Sequence, residues 1–170
     1  MAEVGLLAPD ARVELIEGEI IDMAPIGIHH CSVVDRLNRW LMSAVLDDAI
    51  VRVQGSFRLS GFTEPQPDVI LLKPSADFYW SRFATGEDTL LVIEVSDSTF
   101  RYDRKVKVPL YARYGIPEYW IVEIEHARLH FFRSLVDGRY TDVSVTSTPG
   151  VTELPGVAGR TVDLSKLLMP

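Results

Sequence analysis

The stretch that most constrains the fold is residues 89–119, TLLVIEVSDSTFRYDRKVKVPLYARYGIPEY. Leu90, Leu91, Val92 and Ile93 form an unbroken apolar run, and Glu94 ends it. Such a run, bounded by turn residues, reads as a buried strand. A carboxylate at the end of that strand is costly to bury alone, so it must meet a cation. The candidates are a metal ion or a lysine from the segment that follows. Ser96, Asp97, Ser98 and Thr99 make a polar turn, after which a basic segment of helical character closes at Gly115.

The flanking sequence predicts one mixed sheet. Residues 13–22, VELIEGEIID, alternate about Gly18. They read as a tight hairpin or a bulged strand, with Val13, Leu15 and Ile20 on one side and Glu14, Glu17 and Glu19 as exposed polar partners. Pro25 and Gly27 break the chain. Residues 29–48 then carry Val33, Val34, Leu37, Trp40, Leu41, Ala44 and Val45 at helical spacing, the longest helix expected. His30 sits near its start, where a structural hydrogen bond is the plain reading. Residues 50–59 predict a half-buried strand bulged at Gly55, and 61–66 a loop. Residues 69–72 predict a second buried strand, entered through Pro67-Asp68. Residues 75–88, with Phe78, Tyr79, Trp80 and Phe83, read as a short helix or a long loop. Further strands are expected at 119–124, 128–133 and 139–145, with hairpin turns at Glu125-His126 and Asp137-Gly138. The pattern predicts an α/β (α+β) domain.

Composition narrows the function. Hydrophobic residues are 47% and charged residues 24%, as in an ordinary globular chain, and 170 residues suit one domain. The net charge of −7 argues against a protein that coats nucleic acid by bulk electrostatics. It leaves room for a nuclease that holds phosphate through local cations or metal ions. Arg101, Arg104, Lys105, Lys107 and Arg113 follow Glu94 closely, and the plain reading of such a run is a solvated helix face. No apolar run approaches the roughly 18 residues that span a membrane. The start, MAEVGLLAPDA, lacks the basic region of a secretory signal. A lone cysteine, Cys31, permits no internal disulfide and suits a reducing cytoplasm, the expected location. Its neighbour His30 is a poor partner for a nucleophilic Cys31, because side chains adjacent in sequence seldom point at one spot.

Asp68 and Glu94 each stand near the end of a buried strand. If the strands are neighbours, the two carboxylates can share Mg²⁺ or Mn²⁺, with the Val95 carbonyl and water completing the shell. Ser96 lies on the same strand face as Glu94, two residues on. The lysine to join them must come from the next helix. Asp103, Lys107 and Tyr111 are spaced as one stripe of that helix. A lysine there can neutralise Glu94, orient a water and stabilise charge on a phosphate oxygen.

Together, Pro67-Asp68, Glu94 and a following helical lysine resemble the PD-(D/E)XK nuclease arrangement. The block IEVSDST…YDRKVKVPLYARYGIPEYWIV is similar to the Uma2 family of restriction-endonuclease-like proteins. The resemblance runs over about residues 13–133, leaving 134–170 as a C-terminal extension of the single domain. It implies a restriction endonuclease-like mixed sheet flanked by helices, and a Mg²⁺- or Mn²⁺-dependent endonuclease acting on nucleic acid, with DNA the first expectation. Catalytic roles map onto Asp68, Glu94 and Lys107, and metal ligation onto Asp68, Glu94 and Val95. Lys107 is preferred to Lys105 because Asp103 and Tyr111 fix the register. Glu14, Glu19, His30, Ser96, Asp103 and Tyr111 map as accessory residues. Ser96 occupies the strand position where the wider nuclease pattern has its lysine. Arg101, Arg104 and Lys105 are expected to hold flanking phosphates, and a homodimer would suit cleavage of both strands. The alternative of another class is a catalytically inactive module that binds a partner, through the aromatic residues 78–83 or by self-association.

Overall fold

The computed structural model describes residues 12–169. Strands β1 (Val13–Ile16) and β2 (Glu19–Asp22) form an antiparallel hairpin, and helix α1 (Ile28–Val45) follows. Six further strands build the central sheet: β3 (Ile50–Val53), β4 (Val69–Leu72), β5 (Thr89–Ser96), β6 (Tyr119–Glu123), β7 (Arg128–Val136) and β8 (Arg139–Thr146). Their spatial order equals their chain order. All neighbours are antiparallel except β5 and β6, which run parallel across a helical crossover. That crossover is helical at Phe100–Tyr102, π-helical at Asp103–Lys107 and α-helical again at Val108–Arg113; we call the whole of residues 100–113 α2. A small hairpin of β9 (Val151–Glu153) and β10 (Thr161–Asp163) completes the fold.

Strand alternation divides the sheet into two cores. On one face Val69, Leu71, Leu91, Ile93, Val95, Trp120 and Val122 pack with Val34, Leu37 and Leu41 of α1. Leu154, Val157, Val162, Leu164 and Leu167 from the C-terminal segment seal that core. On the other face Ile70, Leu72, Val92, Tyr119 and Ile121 pack with Tyr111 of α2. Glu94 belongs to this second face. The apolar run of β5 is buried throughout because its two sides serve two cores.

The mixed α+β architecture is the one expected, and the Asp137-Gly138 turn forms with both residues at positive φ, 47° and 70°, as a tight hairpin requires. Residues 75–88 take the loop form of the two expected, with one 3-10 turn, Gly86–Asp88. Two expectations differ. First, β3 ends at Val53 rather than running to 59, because Gln54 turns to φ 47° and the chain leaves the sheet. Second, the polarity of β1 is inverted. Glu14 and Ile16 are buried while Ile20 is exposed, so the glutamate expected in solvent points inward.

Candidate active site

The site forms where β4 and β5 meet. The antiparallel register pairs Val69 with Ile93, which brings Asp68 and Glu94 together at the next step. The Asp68 amide donates to Glu94 Oε2 (3.4 Å), and the Val95 amide donates to Asp68 Oδ2 (2.8 Å). Asp68 Oδ1 lies 3.0 Å from Nε2 of His30 on α1 and accepts from Gln54 Nε2 at 3.5 Å.

Lys107 arrives from α2. Its Nζ donates to Glu94 Oε1 at 2.7 Å and to Glu14 Oε1 at 3.0 Å, and Asp103 Oδ1 lies 3.9 Å away. Tyr111 donates its hydroxyl to the same Glu94 oxygen at 3.1 Å. Ser96 and Thr99 each donate to Asp103 Oδ2 at 2.7 Å. The π-helical turn sets this alignment: the Val108 amide bonds to the Asp103 carbonyl, five residues back, so Asp103, Lys107 and Tyr111 address one point. Glu14, Asp68, Glu94, Asp103 and Lys107 are all buried.

These residues line a cavity of about 430 Å³ between the β1–β2 hairpin, α1 and α2. Its wall carries six carboxylates (Glu14, Asp22, Asp68, Glu94, Asp97, Asp103), against Arg12, Lys107 and His30. The imbalance shows in the proton affinities. Burial, above all, raises the Glu94 pKa well above 4.5; Lys107 opposes the shift, while Asp103, Asp68 and Glu14 add to it. Asp103 is likewise raised by burial, against the pull of Lys107, Ser96 and Thr99. Burial works to lower the Lys107 pKa, but Glu94, Glu14 and Asp103 outweigh it and the net shift is upward, so Lys107 stays an ammonium.

The donor chemistry fits a hard divalent cation. Carboxylate oxygens are abundant, their charge exceeds what the local cations neutralise, and Mg²⁺ commonly takes few protein ligands beside water and substrate phosphate. Two buried polar atoms at the cavity, His30 Nδ1 and Tyr102 Oη, have no hydrogen-bond partner among the described residues. Among those residues, no set of three His, Cys, Asp or Glu side chains is arranged as a ready ligand cage. What the described residues offer is the Asp68–Glu94 pair and an acidic cavity around it.

Of the residues singled out in the sequence, Asp68, Glu94, Val95, Lys107, Glu14, His30 and Asp103 line the cavity; Ser96 and Tyr111 support it by hydrogen bonds. Glu19 does not: it pairs across the hairpin with Ile16 and its side chain is exposed. Arg101, Arg104 and Lys105 are exposed on α2 and outside the cavity lining. The stripe at 103, 107 and 111 faces the cavity and turns the residues between it outward. Arg12, Asp97, Thr99 and Tyr102 line the cavity without having been singled out. Thr99 and Tyr102 had a usable signal, at four and one residues before Asp103; Arg12 had none. Cys31 is exposed and outside this cavity's lining.

Beside the site, on the same sheet face, Glu123 accepts from Nε2 of buried His130 (2.8 Å) and from Nδ1 of His126 (2.7 Å). Burial pushes the Glu123 pKa up, but the two imidazole hydrogen bonds outweigh it and hold the carboxyl below its ordinary 4.5. A depressed carboxyl stabilises the fold above its unfolded pKa, and that contribution disappears as pH falls through the folded value. Glu123→Gln is therefore expected to cost about 1–3 kcal/mol at neutral pH. In thermal melts from neutral to strongly acidic pH, the gap between wild type and variant should close below about pH 4.5. A gap that stays constant with pH would remove the ionic contribution.

A solved structure places this architecture among nuclease-like folds. It is a protein described as "a putative nuclease belonging to DUF820" from Anabaena variabilis ATCC 29413. It superposes with a TM-score of 0.74 at 14% identity, covering 98% of this chain and 94% of that one. At that identity the likeness concerns the fold. The chain belongs to the Uma2 family, described as "Putative restriction endonuclease", whose model matches residues 2–165. The match extends well past residue 133, in keeping with the C-terminal residues that seal the α1-side core. No curated protein matches the sequence. No helix among the described residues is long and apolar enough to cross a membrane.

Proposed function

We propose that this protein is a metal-dependent nuclease that hydrolyses phosphodiester bonds, DNA foremost, at the Asp68–Glu94–Lys107 cavity. The observation that carries the reading is the charge of that cavity: buried carboxylates converge on a single buried ammonium. A structural ion pair needs one partner for each charge, and surplus buried acid is costly unless a cation joins it. Family membership and the nuclease-like fold support the same reading.

Asp68, Glu94 and the Val95 carbonyl would hold Mg²⁺ or Mn²⁺, whose chemistry there is Lewis-acid polarisation of a phosphoryl oxygen. Lys107 has three N–H donors. Glu94 and Glu14 take two of them, and the third is free to orient an attacking water or to meet charge developing on phosphate. Tyr111 and Glu14 keep Glu94 and Lys107 from swinging away, since each is bonded to the pair from a different element. His30 steadies Asp68 from α1. Arg12, at the cavity mouth, is the cation placed to meet a neighbouring phosphate. Cutting both strands of a duplex takes two such sites, which a pair of chains would supply.

Calorimetric titration with Mg²⁺ and Mn²⁺, with and without an oligonucleotide, tests the reading. Saturable heat that is lost in Glu94→Ala, together with metal-dependent cleavage, is the expected result. No binding in either condition, and no shift in melting temperature at millimolar metal, would leave an inactive nuclease-fold module instead.

A further inference from the structure

Residues 75–83, with Arg52 and Arg58 beside them, carry chemistry that the cavity does not use. We infer that this surface is a stacking shelf for an unpaired nucleobase, so that the nucleic acid engaged here is single-stranded or locally opened. The ligand class rests on the nuclease reading; the geometry of the shelf does not.

Trp80 is 93% exposed and Phe78 71% exposed. Lone exposed aromatics need no explanation, but these are held out by a built turn. Phe78 and Tyr79 are consecutive non-glycine residues in the left-handed region, at φ 52° and 62°. Asp77 pins that turn: it accepts from the hydroxyls of Ser75 (2.7 Å) and Ser81 (2.6 Å) and from the amides of Tyr79 (3.1 Å) and Ser81 (3.2 Å). Arg82 forks onto Asp88 at 2.6 and 2.8 Å and lies 5.0 Å from the Tyr79 ring centre. A backbone turn tied at so many points, in a disfavoured conformation, holds Phe78 and Trp80 out toward solvent.

Flat cations alternate with flat rings across this surface. The Arg58 guanidinium sits 3.9 Å from the Phe83 ring centre, and that of Arg52 5.6 Å from Tyr79. Arg52, Tyr79, Trp80, Arg82 and Phe83 frame a recess of about 420 Å³. Among the described residues Arg52 forms no ion pair with a carboxylate, which leaves its charge free for a phosphate. Aromatic and guanidinium planes side by side are what sequence-tolerant base stacking uses. A base inside a duplex hides both faces, so only an unpaired base can enter.

Residues 54–66 link the shelf to the carboxylates of the acidic cavity. At one end Gln54 bonds to Asp68 and the Gln66 amide donates to Glu14 Oε1 at 2.8 Å. At the other end the Arg58 amide donates to the Ala84 carbonyl at 2.8 Å. A strand stacked on the shelf therefore lies against a loop that is bonded to two carboxylates of the acidic cavity.

The test uses the full-length, metal-free protein, so that nothing is cut. Three labelled probes of about twelve nucleotides, a site-sized length, are titrated by anisotropy and tryptophan quenching: oligothymidylate, its abasic counterpart and a duplex. The expected result is quenching by the single strand, with an affinity loss of about tenfold or more in Trp80→Ala and a similar loss for the abasic strand. Equal affinity in Trp80→Ala, equal binding of duplex or abasic strand, or no binding by wild type would overturn the shelf. A shift from dimer to monomer in Trp80→Ala with unchanged oligonucleotide affinity would assign the surface to a second copy of the chain instead. Binding through Trp80 without any cleavage on adding metal would remove the nuclease reading alone. Cleavage that is indifferent to Trp80→Ala on single strands and duplexes would remove the shelf alone.

Discussion

Lys107→Met is expected to abolish cleavage, lowering the turnover rate by roughly 10²–10³-fold. Methionine keeps the length and apolar stem of lysine, so the loss reports the ammonium rather than a cavity. The stability effect should be large as well. Glu14, Glu94 and Asp103 would be left buried with no lysine among them, and breaking a buried pair costs about 3–5 kcal/mol. Added Mg²⁺ should restore more melting temperature in this variant than in wild type, because it would then face the carboxylates alone. The contrast is Lys105→Ala, on the exposed side of α2, where a change within about 0.5 kcal/mol is expected. Urea unfolding of both variants, beside a cleavage assay, decides the matter. Full activity in a folded Lys107→Met would end the assignment of Lys107 as the catalytic lysine.

Glu94→Gln is expected to spare stability and to do the same to function. The environment of Glu94 favours its neutral form, since burial and three neighbouring acids outweigh the single lysine. Glutamine mimics that neutral form in shape, and its carbonyl can still accept from Lys107 and Tyr111, which bond to one oxygen of Glu94. Lys107 keeps Glu14 at 3.0 Å, so its own charge is not stranded. The metal-free variant should unfold at a urea concentration close to that of wild type, the relieved charge being set against the loss of the Glu94 Oε2 acceptor for the Asp68 N–H. The stabilising effect of Mg²⁺ and the cleavage activity should both vanish. A variant that is less stable than wild type yet cleaves normally would show that Glu94 serves as an ordinary structural ion-pair partner.

Much of the fold could be read from β5 outward, because a long apolar run ending in one carboxylate admits few arrangements. The lysine could be read for a local reason: Asp103, Lys107 and Tyr111 share a helix stripe whatever lies around them. Glu14 could not. Alternation with Val13 and Leu15 marks it as a solvent residue, and only Lys107, far along the chain, makes its burial tolerable. Glu19, read from the same alternation as solvent-facing, has no such partner and stays outside. Arg101, Arg104 and Lys105 share a charge type with Lys107 but not its helical face, and composition alone cannot distinguish faces. The short reach of β3 was hidden because Gln54 leaves the sheet through a backbone conformation that its side chain does not advertise.

The π-helical turn at Asp103–Lys107 makes the length of α2 a functional quantity. Such a turn is an α-helix carrying one surplus residue, and here Arg104, Lys105 and Val106 between its ends are solvent-facing. Removing one of them would leave an acceptable, more regular helix. It would also rotate everything upstream by about 100° relative to Lys107, taking Asp103 and its bond to Ser96 out of alignment. Tolerance of a single deletion in this segment thus separates two pressures that usually coincide, since the fold can lose a residue there and the site cannot.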